Sequence, residues 1–416
     1  MALGNTMQLQ ATHTLTIGER VAILLVAGCG FLVDVYDSVL FAVVRIQSFT
    51  SLQVPAAEHL STGVLLFNLQ MTGMVLGGAV WGVLGDKIGR RSALFGSIFL
   101  YSLANLLNAF VDSVPMYGVC RFISGFGLAG EVGAAMTMAA EIMPPKYRTY
   151  GTAFVSVMGV LGSLLAAAVG DHLPWRWAFA SAAIGGFLLL VARLSTKESQ
   201  LFTKVSSSTA VRGSIKMLVA SRERVMRIAR CVFSAMPLFF LFGILISFAP
   251  EIWNGNNDAG KMAATVASLA MYYSLGETAG EVVSGVLSQL MQSRKRVMYL
   301  FLSGAAVVLM AMLYAPASMY PMFCFPAGFL VGYWGIAMTT TAEQFGTNLR
   351  ATASTLVPNL MRATVIPMSL IFGMMSSITT AHMVATILAV ACVVISFVSV
   401  HSMEETFGKD LDFIET

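Results

Sequence analysis

The chain has 416 residues, of which 57% are apolar and only 11% charged, with a mean hydropathy of +0.77. A soluble globular chain carries about a quarter charged residues, so that class is excluded. The composition reads as a polytopic membrane protein whose apolar surface faces lipid as well as a core, and the net charge of +4 does not by itself indicate an acidic partner.

In chain order, the N-terminus is polar through Arg20, and the first apolar run, 21–44, is too long for the apolar core of a cleavable signal peptide. Runs of about 20 apolar residues, the length that crosses a bilayer, predict twelve spans. They lie near 20–44, 60–84, 93–111, 114–140, 149–170, 175–194, 229–250, 263–290, 297–315, 317–342, 352–377 and 380–401. A Ser-, Lys- and Arg-rich segment, 195–228, separates six spans from six. The expected organisation is a bundle over 1–194, a cytoplasmic linker over 195–228, a second bundle over 229–402 and a short acidic tail over 403–416.

Cation placement sets the expected orientation. With the N-terminus, the loops after even-numbered spans and the C-terminus on one side, that side holds twenty Lys and Arg residues against three on the other, Arg45, Arg176 and Lys261. The positive-inside rule puts the rich side, and both termini, in the cytoplasm. The basic cluster at 222–230 then reads as a juxtamembrane belt touching anionic lipid, not as a nucleic-acid site. Trp175-Arg176-Trp177 reads as an interfacial belt at the opposite surface. All five cysteines fall inside expected spans as small packing residues, with no C-x-x-C or Cys/His cluster, so no metal or other cofactor is expected.

Between spans 2 and 3 lies a polar knot: Gly82, Asp86, Lys87, Gly89, Arg90 and Arg91 in the order G-x-x-x-D-K-x-G-R-R. A worn copy follows 203 residues later, at Gly285 through Arg296, where Gln289 replaces Asp86 and the cations survive. Likewise Glu141 and Arg148 close span 4 as E-x6-R, and Glu343 and Arg350 repeat the pattern 202 residues on, after span 10. Two matches at nearly one offset argue for duplicated six-helix halves. These ten residues are expected to form a cytoplasmic gate.

Charges inside spans cost roughly 2.5–3.5 kcal/mol each on insertion scales, so each asks for a reason. Asp34 and Asp37 sit three apart in span 1, on roughly one helix face. Arg121 and Glu131 share span 4, about 15 Å apart along a continuous helix, too far to pair directly. Glu277 and Glu281 are four apart on span 8, and Arg362, with Asn359 three residues before it, is the central cation of the second half. Two carboxylates in low dielectric, with a cation that releases one on protonation, suit reversible proton carriage. The proton-coupling candidates are Asp34, Asp37, Glu131 and Arg121. The substrate candidates are Arg362, whose guanidinium fork suits a carboxylate or phosphate, with Glu277, Glu281, Asn359, Tyr36, Tyr333 and Trp334. A fixed structural ion pair, Arg362 with Glu277 for example, remains the plain alternative for these charges.

The knot at Gly82–Arg91 resembles the signature loop between helices 2 and 3 of the major facilitator superfamily of transporters. The stretch Arg121-Phe-Ile-Ser-Gly125-Phe-Gly127 resembles its R-x-x-x-G-x-G motif, and Gly30-Phe-Leu-Val-Asp34-Val-Tyr-Asp37 resembles the first helix of its proton-coupled phosphate and organic-acid symporters. The resemblance covers about residues 18–402. It implies an all-α fold of twelve membrane helices in two pseudo-symmetric bundles, with substrate bound near the midplane between them, and it places spans 8 and 11 beside the central cavity. The implied function is proton-coupled uptake of a small anionic metabolite by a monomer in the inner membrane. No G-x-x-x-x-G-K-[ST] loop or nucleophile–base constellation points to ATP use or to an enzyme. Span 5 has glycines but lacks the Gly-Pro of drug antiporters, which favours symport. A proton-coupled exporter and a transporter-like solute receptor are the alternatives.

Overall fold

The computed structural model describes residues 17–88, 90–131, 148–194, 215–253 and 259–409, and among these it contains helices and no strands. The first half comprises α1 (Ile17–Ser51), α2 (His59–Ile88), α3 (Arg90–Asn108), α4 (Val114–Leu128), α5 (Arg148–His172) and α6 (Trp175–Leu194). A short α7 (Ile215–Val219) precedes α8 (Arg222–Ser234), so the basic cluster of the expected linker is the opening of a helix. The remainder runs α9 (Met236–Phe240), α10 (Ala249–Ile252), α11 (Ala259–Leu290), α12 (Arg294–Tyr314), α13 (Tyr320–Val331), α14 (Trp334–Gln344), α15 (Thr347–Ala363), α16 (Val365–Met375) and α17 (Ala381–Ser402). Among the described residues, seven helices are long and apolar enough to cross a membrane, and a pair bent by 46° around Ala235 makes an eighth.

Local chemistry sets the boundaries. The Ser293 hydroxyl accepts from the Arg296 amide at 3.1 Å and Thr380 from the Met383 amide at 3.3 Å, each satisfying a free donor at a helix start. Pro115, Pro237, Pro250 and Pro321 sit in first turns, where a missing N–H costs nothing. Span 7 is irregular: after the break at Ala235, residues Leu241–Ile246 form a π-helical turn before α10.

The two halves share one packing scheme. In the first, α1 lies against α5, α2 against α4, and α3 against α4 and α6; in the second, α11 lies against α13, and α12 against α13 and α17. Lipid offers apolar groups as good a home as a core does, so helix association in a membrane rests on close backbone approach at small residues. Gly73 and Gly77 of α2 lie on the backbone of Phe122 and Phe126, and Gly125 of α4 on Gln70. Exactly 203 residues later, Gly276 and Gly280 lie on Phe325 and Phe329, and Gly328 on Tyr273. A β-carbon would collide with main chain at all six glycines. The duplication read from two surface motifs is therefore repeated, contact for contact, inside the bundles. The halves meet along α2 with α15 and α16, and along α11 with α1 and α5.

Candidate functional site

A cavity of about 140 Å³ opens between the halves. α1 supplies Phe31, Asp34 and Ser38, α2 supplies Phe67, Met71 and Met74, and α5 supplies Gly159 and Val160. From the second half come Phe239 and Phe242 of span 7, then Tyr273, Ser274, Glu277, Thr278 and Glu281 of α11, with Trp334 and Arg362. The sharpest contact in it crosses the halves. The Arg362 guanidinium donates to both oxygens of Asp34, at 3.3 and 2.8 Å. Asp34 is wholly buried, so this fork is its route to charge compensation. Arg362 thus pairs with Asp34 and not with Glu277, the partner considered from sequence. Tyr273 and Glu281 flank Glu277 on α11, one turn to either side, and Arg362 lies within electrostatic reach of its carboxylate.

Asp37, one turn further along α1, belongs to a separate and completely enclosed cluster. Arg121 donates to its oxygens at 3.4 and 3.5 Å, the Gln70 amide at 2.9 Å and the Ser124 hydroxyl at 3.3 Å. Arg121 also donates to the Gln70 carbonyl oxygen and lies over the rings of Phe41 and Phe179. The contacts between Arg121 and Asp37 are longer than an ideal charged hydrogen bond, so Gln70 acts as the intermediary that holds both ions. The two aspartates expected to share a face are thereby split, one facing the cavity and one facing the interior of the first half. The 203-residue repeat shows how local this chemistry is: the counterparts of Gln70, Arg121 and Ser124 are Tyr273, Cys324 and Ala327.

Glu131 follows the turn that ends α4 and pairs with Arg193 of α6 at 2.7 Å, both buried. Arg193, in the last turn of α6, is the partner that Glu131 required. Neither side chain lines the cavity.

The end of the bundle away from the basic clusters is closed across the halves. Arg45 of α1 donates to both oxygens of Glu251 in α10, at 2.6 and 3.0 Å, and to the Ser247 carbonyl at 3.0 Å. Its guanidinium lies 4.8 Å from the centre of the Phe248 ring. Between this pair and the cavity runs an aromatic chain: Phe41 to Phe67 at 6.5 Å, Phe67 to Phe248 at 6.4 Å and Phe248 to Phe372 at 5.9 Å. Gly63 makes room, since a β-carbon there would stand 2.7 Å from the Arg45 guanidinium. Neither Arg45 nor Glu251 stood out in the sequence, because both fall near span ends, where charge is ordinary.

Of the other candidates, Trp334 reaches the cavity, whereas Tyr36 bonds Ser181 at 2.7 Å and Tyr333 bonds the Ser234 carbonyl at 2.8 Å. Asn359 ties the halves together by donating to the Ala129 carbonyl at 3.4 Å beside Gly78. In the expected gate, Gly82 of α2 faces Thr355 of α15. Gly89 and Glu141 lie outside the described residues, as do the side chains of Asp86, Lys87, Arg90, Arg91, Arg148 and Arg350. In the second half, Arg294 donates to Glu343 at 3.1 Å and to Ser288 at 2.7 Å, joining the two repeated motifs.

A duplicated helical bundle with a charged cavity between its halves, sealed at one end by contacts that only the two halves together make, is the architecture of a membrane transporter. The sequence profile described as Major Facilitator Superfamily matches residues 26–364, and the chain belongs to that family. A Haemophilus influenzae protein named for metabolite transport is 26% identical over 367 residues, covering 84% of this chain and 88% of its own. The gentisate transporter of Corynebacterium glutamicum is 28% identical over 167 residues, or 39% and 37% of the two chains. Among solved structures, the E. coli xylose transporter XylE in a partially occluded inward-open conformation superposes with a TM-score of 0.71. It is 18% identical, with 95% of this chain and 100% of that one covered. These are proteins the chain is similar to, and the last shows its fold.

Proposed function

We propose that the protein is a proton-coupled symporter that takes up a small carboxylate across the cytoplasmic membrane, as a monomer of twelve crossings with both termini inside and no cofactor. The observation that carries this reading is the Arg362–Asp34 fork in the inter-half cavity. A fork–fork guanidinium site is built for a carboxylate, and here an internal carboxylate occupies it. A substrate carboxylate arriving at Arg362 displaces Asp34, and a proton on Asp34 removes the charge that would otherwise be left buried and unpaired. Substrate and proton therefore favour each other's binding, which is the coupling a symporter needs.

Asp37 with Arg121 and Gln70 forms the second proton-sensitive element. Protonating Asp37 releases Arg121 from a charge partner and leaves it to Gln70, which changes how α1, α2 and α4 hold one another. Under the proposed orientation the Arg45–Glu251 end faces outward and is closed. The apolar and aromatic walls suit an aromatic or otherwise apolar carboxylate, in keeping with the gentisate named for one relative.

The test is counterflow in proteoliposomes with labelled gentisate and benzoate as probes. Wild-type protein exchanges at least one of them, and Arg362→Ala reduces exchange by about two orders of magnitude, the ~3 kcal/mol expected for a charge-assisted site. Equal exchange in Arg362→Ala would place the carboxylate elsewhere and defeat the proposal.

A further inference from the structure

The Glu131–Arg193 pair stands apart from the cavity but not from Asp34. Gly30 and Asp34 are four residues apart on α1 and share a face. A β-carbon on Gly30 would stand 2.5 Å from the Glu131 carboxylate and 2.9 Å from the Arg193 guanidinium. The pair therefore lies against α1 one turn before Asp34, within electrostatic reach of it. Arg45 lies beyond Asp34 on the same helix, at the sealed end. Seen from Asp34, Glu131 is thus on the side away from the seal, and its partner Arg193 is in the last turn of α6.

Three buried carboxylates follow one another along α1, each with an arginine from a different helix: Asp37 with Arg121, Asp34 with Arg362, and Glu131 with Arg193. The buried Tyr101 of α3 lies within electrostatic reach of all three. Glu131 differs from the aspartates in what its second oxygen meets. Both oxygens of Asp34 and of Asp37 accept hydrogen bonds. Glu131 gives one oxygen to Arg193, and the other is buried with no hydrogen-bond partner among the described residues. A buried oxygen without a donor is costly and calls for a reason. Here it is an atom that can take a proton while its neighbour keeps the arginine.

We propose that Glu131 is the proton acceptor for Asp34 and carries the proton toward the unsealed end by a route that bypasses the substrate cavity. The inference deepens the proton-symport reading above and rests on it. While substrate holds Arg362, Asp34 is protonated. When substrate leaves, the O–H bond on Asp34 breaks, an O–H bond forms on the free oxygen of Glu131, and the Asp34 carboxylate returns to the Arg362 fork. Four residues of helix rise about 6 Å, a gap that one water bridges by taking the Asp34 proton as it gives another to Glu131. Glu131 then loses its proton to bulk water at that end and recovers its full charge beside Arg193.

The experiment compares uphill accumulation with counterflow in proteoliposomes of the full-length protein, using whichever of labelled gentisate and benzoate the wild type exchanges. Counterflow needs no net proton release, so a proton acceptor matters for accumulation alone. Glu131→Gln keeps counterflow and holds accumulation to about a tenth of wild type or less. Removing one member of a buried ion pair strands the other, so Glu131→Gln combined with Arg193→Gln, which leaves no buried charge alone, is measured beside it. A pair that only braces the helices is restored by the neutral double variant. A proton acceptor is not, and accumulation stays low while counterflow persists. Accumulation at the wild-type level in either variant, or loss of counterflow in both, overturns the assignment and leaves proton symport standing. If the wild type itself does not accumulate the probe under an inward proton gradient, the symport reading fails and takes this inference with it.

Discussion

Asp34 and Asp37 are separated by a single helical turn and do different work. In the proposed cycle Asp34 acts as a surrogate ligand, seated on the guanidinium proposed to bind substrate, whereas Asp37 is locked among Arg121, Gln70 and Ser124 away from the cavity. Asp34→Asn therefore frees Arg362 from its competitor. Isothermal binding should show tighter association of a carboxylate probe such as benzoate, about fivefold for the ~1 kcal/mol of a competing hydrogen bond removed; weaker association would contradict the surrogate role. The charged residues themselves were legible in the sequence, because an ion in an apolar run costs enough to demand a reason. Their pairing was not, since it depends on how each helix is rotated. Gln70 escaped notice because it is uncharged, and Arg193 because the last turn of a span is where belt cations are ordinarily found.

At the scale of elements, the six glycines that let α2 meet α4 and α11 meet α13 show why the duplicated scaffold persists while its chemistry diverges. Backbone contact fixes the packing, and side chains facing the cavity or the half's interior are free to change. This part of the fold was legible only as a surface repeat, since a glycine's contact partner is not written in its own segment. The tail is a second built element. Ser293 and the amides of Arg294 and Lys295 donate to Glu405, Thr406 donates to Glu343 at 2.7 Å, and Lys295 donates to the Met403 carbonyl at 2.6 Å. Partial burial pushes the Glu405 carboxyl up, but the Ser293 hydroxyl and the amides of Arg294, Phe407 and Lys295 outweigh it and hold the group below its ordinary 4.5. A depressed carboxyl stabilises the docked tail in full above its ordinary value and loses that contribution as pH falls through the lowered one. The melting-temperature difference between wild type and Glu405→Gln should be constant above about pH 5 and shrink below 4.5. A difference that grows on acidification would show that the carboxylate is not what docks the tail.

For the whole molecule, the seal at the Arg45 end is made only by residues from both halves, so it must break for the cavity to open there. The π-helical turn at Leu241–Ile246 sits next to it in span 7, and such turns in a helix commonly mark sites of movement. Glu251→Gln removes the charge that holds Arg45, and it should shift the population toward the open state. Spin labels at Ser61 and Ser377, exposed positions on opposite halves near that end, should then report longer distances by pulsed electron resonance; an unchanged distribution would show that the pair is not a gate.

The central claim, uptake coupled to protons through the buried aspartates, is tested most directly by uphill transport. Proteoliposomes with an imposed inward proton gradient and labelled gentisate should accumulate the probe above its external concentration with wild-type protein. Asp34→Asn, which keeps Arg362 free but carries no proton, should abolish that accumulation while counterflow exchange continues. Accumulation that persists undiminished in Asp34→Asn, or that is driven only by an outward proton gradient, would contradict the account.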